Sequence, residues 1–164
     1  MTKRVKEAKA YQDGLTVGEA LMEAAVQMAA VDGEGEKLNE DMERDAMKIL
    51  CAVCHLEQLM EASEYVRMLP CFFRSMGEII PETLRQYEQH AYMKYSKFFA
   101  FGVSLYIYDN MEEWDDWLFD NDLISASEYQ ARVGEVASQS DVESRNCSEC
   151  PHYPCELCEE EDAE

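Results

Sequence analysis

Cations are scarce in this chain: 14 lysines and arginines stand against 35 aspartates and glutamates, for a net charge of −21. Such a molecule repels nucleic-acid phosphate and the anionic face of a membrane, so neither direct DNA or RNA binding nor membrane binding is expected. The excess is not confined to one end. Residues 141–164 hold nine acids and one arginine, and the remainder keeps 26 acids and 13 bases. Histidine is scarcer still: three residues, at 55, 90 and 152, make no metal-hydrolase pair. There is no glycine-rich phosphate loop and no nucleophile-elbow pattern. Acids are too abundant for any pair to stand out as general acid and base, so a non-enzymatic protein is expected.

Long apolar runs are also missing. The longest, Phe98–Tyr108, falls short of the roughly 20 residues that span a bilayer. Met1–Gln12 (MTKRVKEAKAYQ) has no apolar stretch of about 7–15 residues, so no secretory signal is expected. A cytoplasmic location follows, in which the seven cysteines would be reduced thiols or metal ligands and not disulfides. Neither strand-like alternation nor an internal repeat is visible.

What the chain does have is apolar residues at helical spacing. With 47% apolar residues in 164, it can fill one core, and the expectation is an all-α fold. A single helical bundle of about five to seven helices, with one long central helix, would be followed by a short Cys-rich C-terminal tail. Val17, Leu21, Ala24, Met28 and Val31 predict a first helix, with Thr16 and Glu19 as its capping box. Met42, Ala46, Ile49, Val53, Leu56 and Met60 predict a second over roughly Glu40–Ala62, capped by Asn39. Pro70 predicts a bend between two short helices, Ser63–Leu69 and Pro70–Met76. Pro81 is expected to open the long central helix, whose stripe Leu84, Tyr87, Ala91, Tyr95, Phe98, Gly102 and Leu105 runs to about Tyr108. Met111, Trp114 and Leu118 predict a short helix. Ser125 and Glu128 should cap a last one, with Ala126, Tyr129, Val133 and Val136 inward. The domain reading is an acidic helical body over 1–138, a linker over 139–146 and a Cys-rich acidic tail over 147–164.

In the tail, NCSECPHYPCELC places Cys147, Cys150, Cys155 and Cys158 as two C-x2-C pairs, with His152 between them. A two-residue spacer lets both sulfurs of a pair turn toward one ion, and two pairs complete the four-thiolate shell that zinc favours. An iron–sulfur cluster uses the same four thiolates, so both groups fit the spacing. His152 is a substitute ligand or a neighbour that orients one. Nearby glutamates oppose thiol ionisation unless a cation is present, so the site should depend on its metal.

Two other motifs invite a cofactor. Cys51-Ala52-Val53-Cys54-His55 matches the haem-attachment pattern, but covalent haem is added outside the cytosol and the cysteines flank a helical core stripe. They read as ordinary helix cysteines. Asp32, Glu34, Glu36, Glu40 and Glu43 fall on the first, third, fifth, ninth and twelfth positions of a calcium-loop template, with Lys37 where the template has glycine. A solvated acidic turn is the plainer reading. The stretch Ala24–Glu43 also resembles the helix–DGE–helix signature of tellurite-resistance TerB-like domains. That resemblance implies a helical cytosolic stress-response module with an acidic metal-binding loop.

Between Lys97 and Arg132 no basic residue occurs, while Asp109, Glu112, Glu113, Asp115, Asp116, Asp120 and Asp122 accumulate. Like charges one turn apart, such as Glu112 and Asp116, cost a helix a few tenths of a kcal/mol (about 0.2–0.5). Either the acids solubilise the outer face of a helix, or they form a working surface. The expected function is a non-enzymatic interaction or regulatory protein with a metal-binding tail, acting on another protein. The alternative is an acidic DNA mimic of the anti-restriction or anti-CRISPR type, which would occupy the site of a basic nucleic-acid-binding protein.

Overall fold

The computed structural model describes residues 1–30, 37–90 and 94–143, and it is an all-α bundle. Among the described residues there are seven helices: α1 (Lys3–Ala29), α2 (Glu40–Leu59), α3 (Ala62–Ser75), α4 (Glu82–His90), α5 (Ser96–Glu112), α6 (Trp114–Asp120) and α7 (Ala126–Glu143). The linker and tail residues beyond Glu143 lie outside the described residues, and Gln139–Glu143 continue α7.

α1 starts well before the expected Thr16 cap. Its first turns are built from strong helix formers and carry the ion pairs Lys3–Glu7 (3.7 Å) and Lys9–Asp13 (2.8 Å), which carry the helix back to Lys3. Thr16 is therefore mid-helix, and its hydroxyl donates back to the Gln12 carbonyl at 3.2 Å. α2 is capped as predicted, with Asn39 Oδ1 accepting from the Met42 N–H at 3.1 Å. Its buried face is rotated from the predicted one. Glu43, Ala46, Leu50 and Val53 point inward, Met42 is exposed, and Ile49, Leu56 and Met60 are half-buried.

Pro70 does not split α3. One continuous helix runs through it, and burial of Tyr65, Val66, Leu69 and Phe73 offsets the roughly 3 kcal/mol that an internal proline costs. The reverse holds after Pro81, where the expected long helix is two. α4 ends at His90, Ala91 lies outside the described residues, and α5 starts afresh where the Tyr95 carbonyl accepts from the N–H groups of Phe98 and Phe99. The break re-phases the stripe: Phe99, Ala100, Val103 and Ile107 enter the core, while Phe98 is exposed and Leu105 half-buried. α5 is still the central helix, but α1 is the longest.

α1 packs most extensively against α5. Gly14 lies beside Phe99 and Gly18 beside Val103 and Tyr106, so the two helices run in the same direction. The backbones touch. A Cβ on Gly14 would lie 2.2 Å from the Phe99 carbonyl oxygen, and one on Gly102 2.4 Å from that of Tyr11. α2 returns antiparallel to α1, joined by the bridge between Ala30 and Leu38, and covers the same core.

At the far end Trp114, Trp117 and Leu118 of α6 are buried and Met111 is half-buried at the close of α5. Asp122 adopts a left-handed φ of 57°, which lets the N–H groups of Asp122 and Leu123 reach the last carbonyls of α6. Ser125 caps α7, accepting from the Glu128 N–H at 3.2 Å. Of its predicted inward residues Tyr129 is half-buried, whereas Ala126 and Val133 are exposed and the Val136 side chain lies outside the described residues. No described helix is long and apolar enough to cross a membrane.

Candidate acidic face

The acids that crowd the sequence after Tyr108 are carried by the end of α5, by α6 and by the turn into α7. The inward pull of Trp114, Trp117 and Leu118 leaves the alternate positions of α6 to solvent. Asp109, Glu112, Glu113, Asp116, Asp120 and Asp122 are exposed, and Asp115 is half-buried.

Two shallow grooves cross this surface. One, of about 560 Å³, is lined by Glu112, Glu113, Trp114, Asp115, Asp116, Tyr129 and Val133. Its neighbour, of about 240 Å³, is lined by Tyr106, Asn110, Glu113, Asp116, Trp117, Asp120 and Asn121. Glu113 and Asp116 border both.

The local bonds divide the acids into two sets. Asp115 pairs with Arg132 at 3.0 Å, and Asp116 accepts from the Tyr129 hydroxyl at 2.6 Å. That hydrogen bond, with partial burial and neighbouring carboxylates, holds the Tyr129 phenol protonated above its usual range. Tyr108 is raised in the same way by its bond to Glu112. Among the described residues Asp109, Glu112, Glu113, Asp120 and Asp122 have no ion pair.

Behind this face lies a constellation that sequence reasoning did not find. Arg132 donates to both oxygens of Glu43, at 2.8 and 3.0 Å, and also reaches Asp115 and, at 3.2 Å, Glu128. The Trp114 indole N–H donates to the same Glu43 at 2.7 Å. Side-chain exposure is 11% for Glu43 and 18% for Arg132. Burial alone would raise the Glu43 carboxyl, but the bonds from Arg132 and Trp114 and the guanidinium charge outweigh it and hold it below its usual value. The bonds from Arg132 to Glu43 and Asp115, with the charges of those two acids, raise its own pKa further against the opposing effect of burial. The only available signal was the isolation of Arg132 among acids, with Glu128 one turn before it.

The remaining predicted site residues separate. Glu40 is exposed in the first turn of α2, Glu43 is committed to Arg132 and Trp114, and Asp32, Glu34 and Glu36 lie outside the described residues. Cys147, Cys150, His152, Cys155 and Cys158 also lie outside them. The C-x-x-C-H cysteines flank the α2 core stripe. Cys51 is exposed, and Cys54 donates to the Ser104 carbonyl at 3.6 Å, with burial, Cys51 and Glu57 pushing its thiol up to about 11. Among the described residues no group of three or more potential ligands could hold a metal ion. No family model, curated protein or solved structure matches the chain.

Proposed function

We propose that this chain is a non-enzymatic cytoplasmic interaction protein that offers an acidic face to a basic partner protein. The observation that carries the reading is the fate of Arg132, the first cation after Lys97: it is drawn inward onto Glu43 and Asp115, so it leaves the outer acids unneutralised. Those acids sit at the end of α5, on α6 and in the turn after it, beside two buried tryptophans, which presents the charge in one arrangement and not as a loose tail. A partner that neutralises phosphate would fit such a surface, because acids four residues apart repeat about every 6 Å of helix. The DNA-mimic form of the reading rests on that spacing. In the proposal the thiols of Cys147, Cys150, Cys155 and Cys158 hold zinc and form a second contact module.

The test is affinity capture from a cell extract with the full-length protein, beside a variant carrying Glu113→Lys and Asp120→Lys. Capture of basic nucleic-acid-binding proteins by the wild type should fall by about 10-fold or more in the variant, and duplex DNA should compete. It should also weaken steeply between low and physiological salt. Equal capture by both proteins would reduce the acids to a solubilising role. Elemental analysis of the full chain, with a variant changing all four tail cysteines to serine, tests the zinc separately: about one ion per chain is expected in the first only.

A further inference from the structure

α5 is apolar on nearly all sides, and helices of that kind are normally enclosed. Here one face is not. Phe98, Phe101 and Tyr108 are 39%, 51% and 59% exposed, and half-buried Leu105 lies between them. Their spacing of three, four and three residues makes a continuous stripe along the outer side of α5, opposite the buried Phe99, Val103 and Ile107. Tyr11 of α1 stacks against Phe101 at 6.0 Å and widens it. Isolated exposed apolar residues are ordinary, but a contiguous aromatic row marks a surface that something covers.

The ends of the row say what covers it. Exposed Lys97 stands at one end and exposed Glu112 at the other, about 22 Å apart along the helix, and Lys97 has no ion pair among the described residues. If two copies of α5 lie antiparallel about a two-fold axis beside Leu105, Lys97 of each faces Glu112 of the other. Phe101 then faces Tyr108, again twice. A parallel pairing would set lysine on lysine and glutamate on glutamate, so the charges select one orientation.

We infer that the α5 stripe is an antiparallel homodimer interface in which Phe101 packs on the partner's Tyr108 and Lys97 pairs with the partner's Glu112. The exposed parts of the aromatics on both copies, with Leu105 and Tyr11, come to less than the roughly 1,200 Å² of a standard interface, the size of a weak and reversible contact. Of the acidic face the pairing uses Glu112 and leaves Glu113 and Asp120 outside the pairs, so it stands independently of the proposed function.

Sedimentation equilibrium of the full chain over about 1–100 μM should give twice the 18.9 kDa chain mass at the upper end. Phe101→Glu, a change at an exposed position, should give a monomer with unchanged circular dichroism. Lys97→Glu and Glu112→Lys should each weaken self-association about 10-fold. Mixing those two variants should recover it, and so should placing both changes in one chain, because each lysine again meets a glutamate. A wild type that stays monomeric overturns the inference and leaves the stripe to a different protein. A dimer that survives Phe101→Glu, or a charge swap that restores nothing, overturns it as well.

Discussion

At the scale of single residues, the Glu43 carboxylate and the Arg132 guanidinium are held mostly out of water, and neither charge is stable there alone. The two are not equivalent. Arg132 would keep Asp115 and Glu128 without Glu43, whereas Glu43 would keep only the Trp114 indole without Arg132. Arg132→Met should therefore cost about 2–3 kcal/mol in urea unfolding, and Glu43→Gln about half of that. The sign of the pH dependence follows from the depressed Glu43 value. Its contribution is complete above the ordinary carboxyl value of 4.5 and is lost as pH falls through the lower folded value, so Glu43→Gln should flatten the acid limb of the stability curve. The sequence places Glu43 on a calcium-loop template and Asp115 in an acidic run. What it cannot display is that Arg132, 89 residues from Glu43, uses both.

At the scale of elements, helical spacing revealed which segments are helices better than it revealed which way they face. The seven helices among the described residues fall within the expected number, and the Asn39 and Ser125 caps occur where local chemistry places them. The misread boundaries have different causes: local helix formers and ion pairs extend α1 past the Thr16 signal, and packing outweighs Pro70. Pro70 stays helical because its neighbours are buried, and α4 and α5 part with no glycine or proline between them, after which Phe99, Val103 and Ile107 are buried in place of Phe98 and Leu105. The contact between α1 and α5 can be tested by contrast. Alanine at Gly14 would gain about 1 kcal/mol in helix propensity but drive its Cβ into the α5 backbone, so Gly14→Ala should lose about 2 kcal/mol or more overall. Gly134→Ala, where a Cβ meets nothing within 4 Å, should instead raise the melting temperature slightly.

At the scale of the molecule, a net charge of −21 on 164 residues means that compaction works against self-repulsion. Among the described residues the surface ion pairs are mostly local steps of three or four residues along a helix, which do little to offset it. Raising sodium chloride from about 10 mM to 150 mM shortens the screening length from about 30 Å to 8 Å and should raise the melting temperature. A protein held mainly by surface ion pairs would show the opposite trend. Composition predicted this acidity because charge is a sum over the chain, whereas the helical class came from the three- and four-residue spacing of the apolar residues. The acidic face was legible as a run of residues but not as a pair of grooves, since one groove needs α7 folded back beside α6 and the other needs α6 turned beside the end of α5.

The parallel seam between α1 and α5 sets an order on biosynthesis. A ribosome making about 5–20 residues per second exposes α1 several seconds before Ser96–Glu112 has emerged. Until then the glycine-lined side of α1 lacks the helix it is shaped for, and α2 and α3 can shelter only part of it. The nascent chain thus offers an early apolar surface to chaperones. Synonymous codons that slow translation between α4 and α5 would lengthen that window and lower the yield of folded protein without changing a single amino acid.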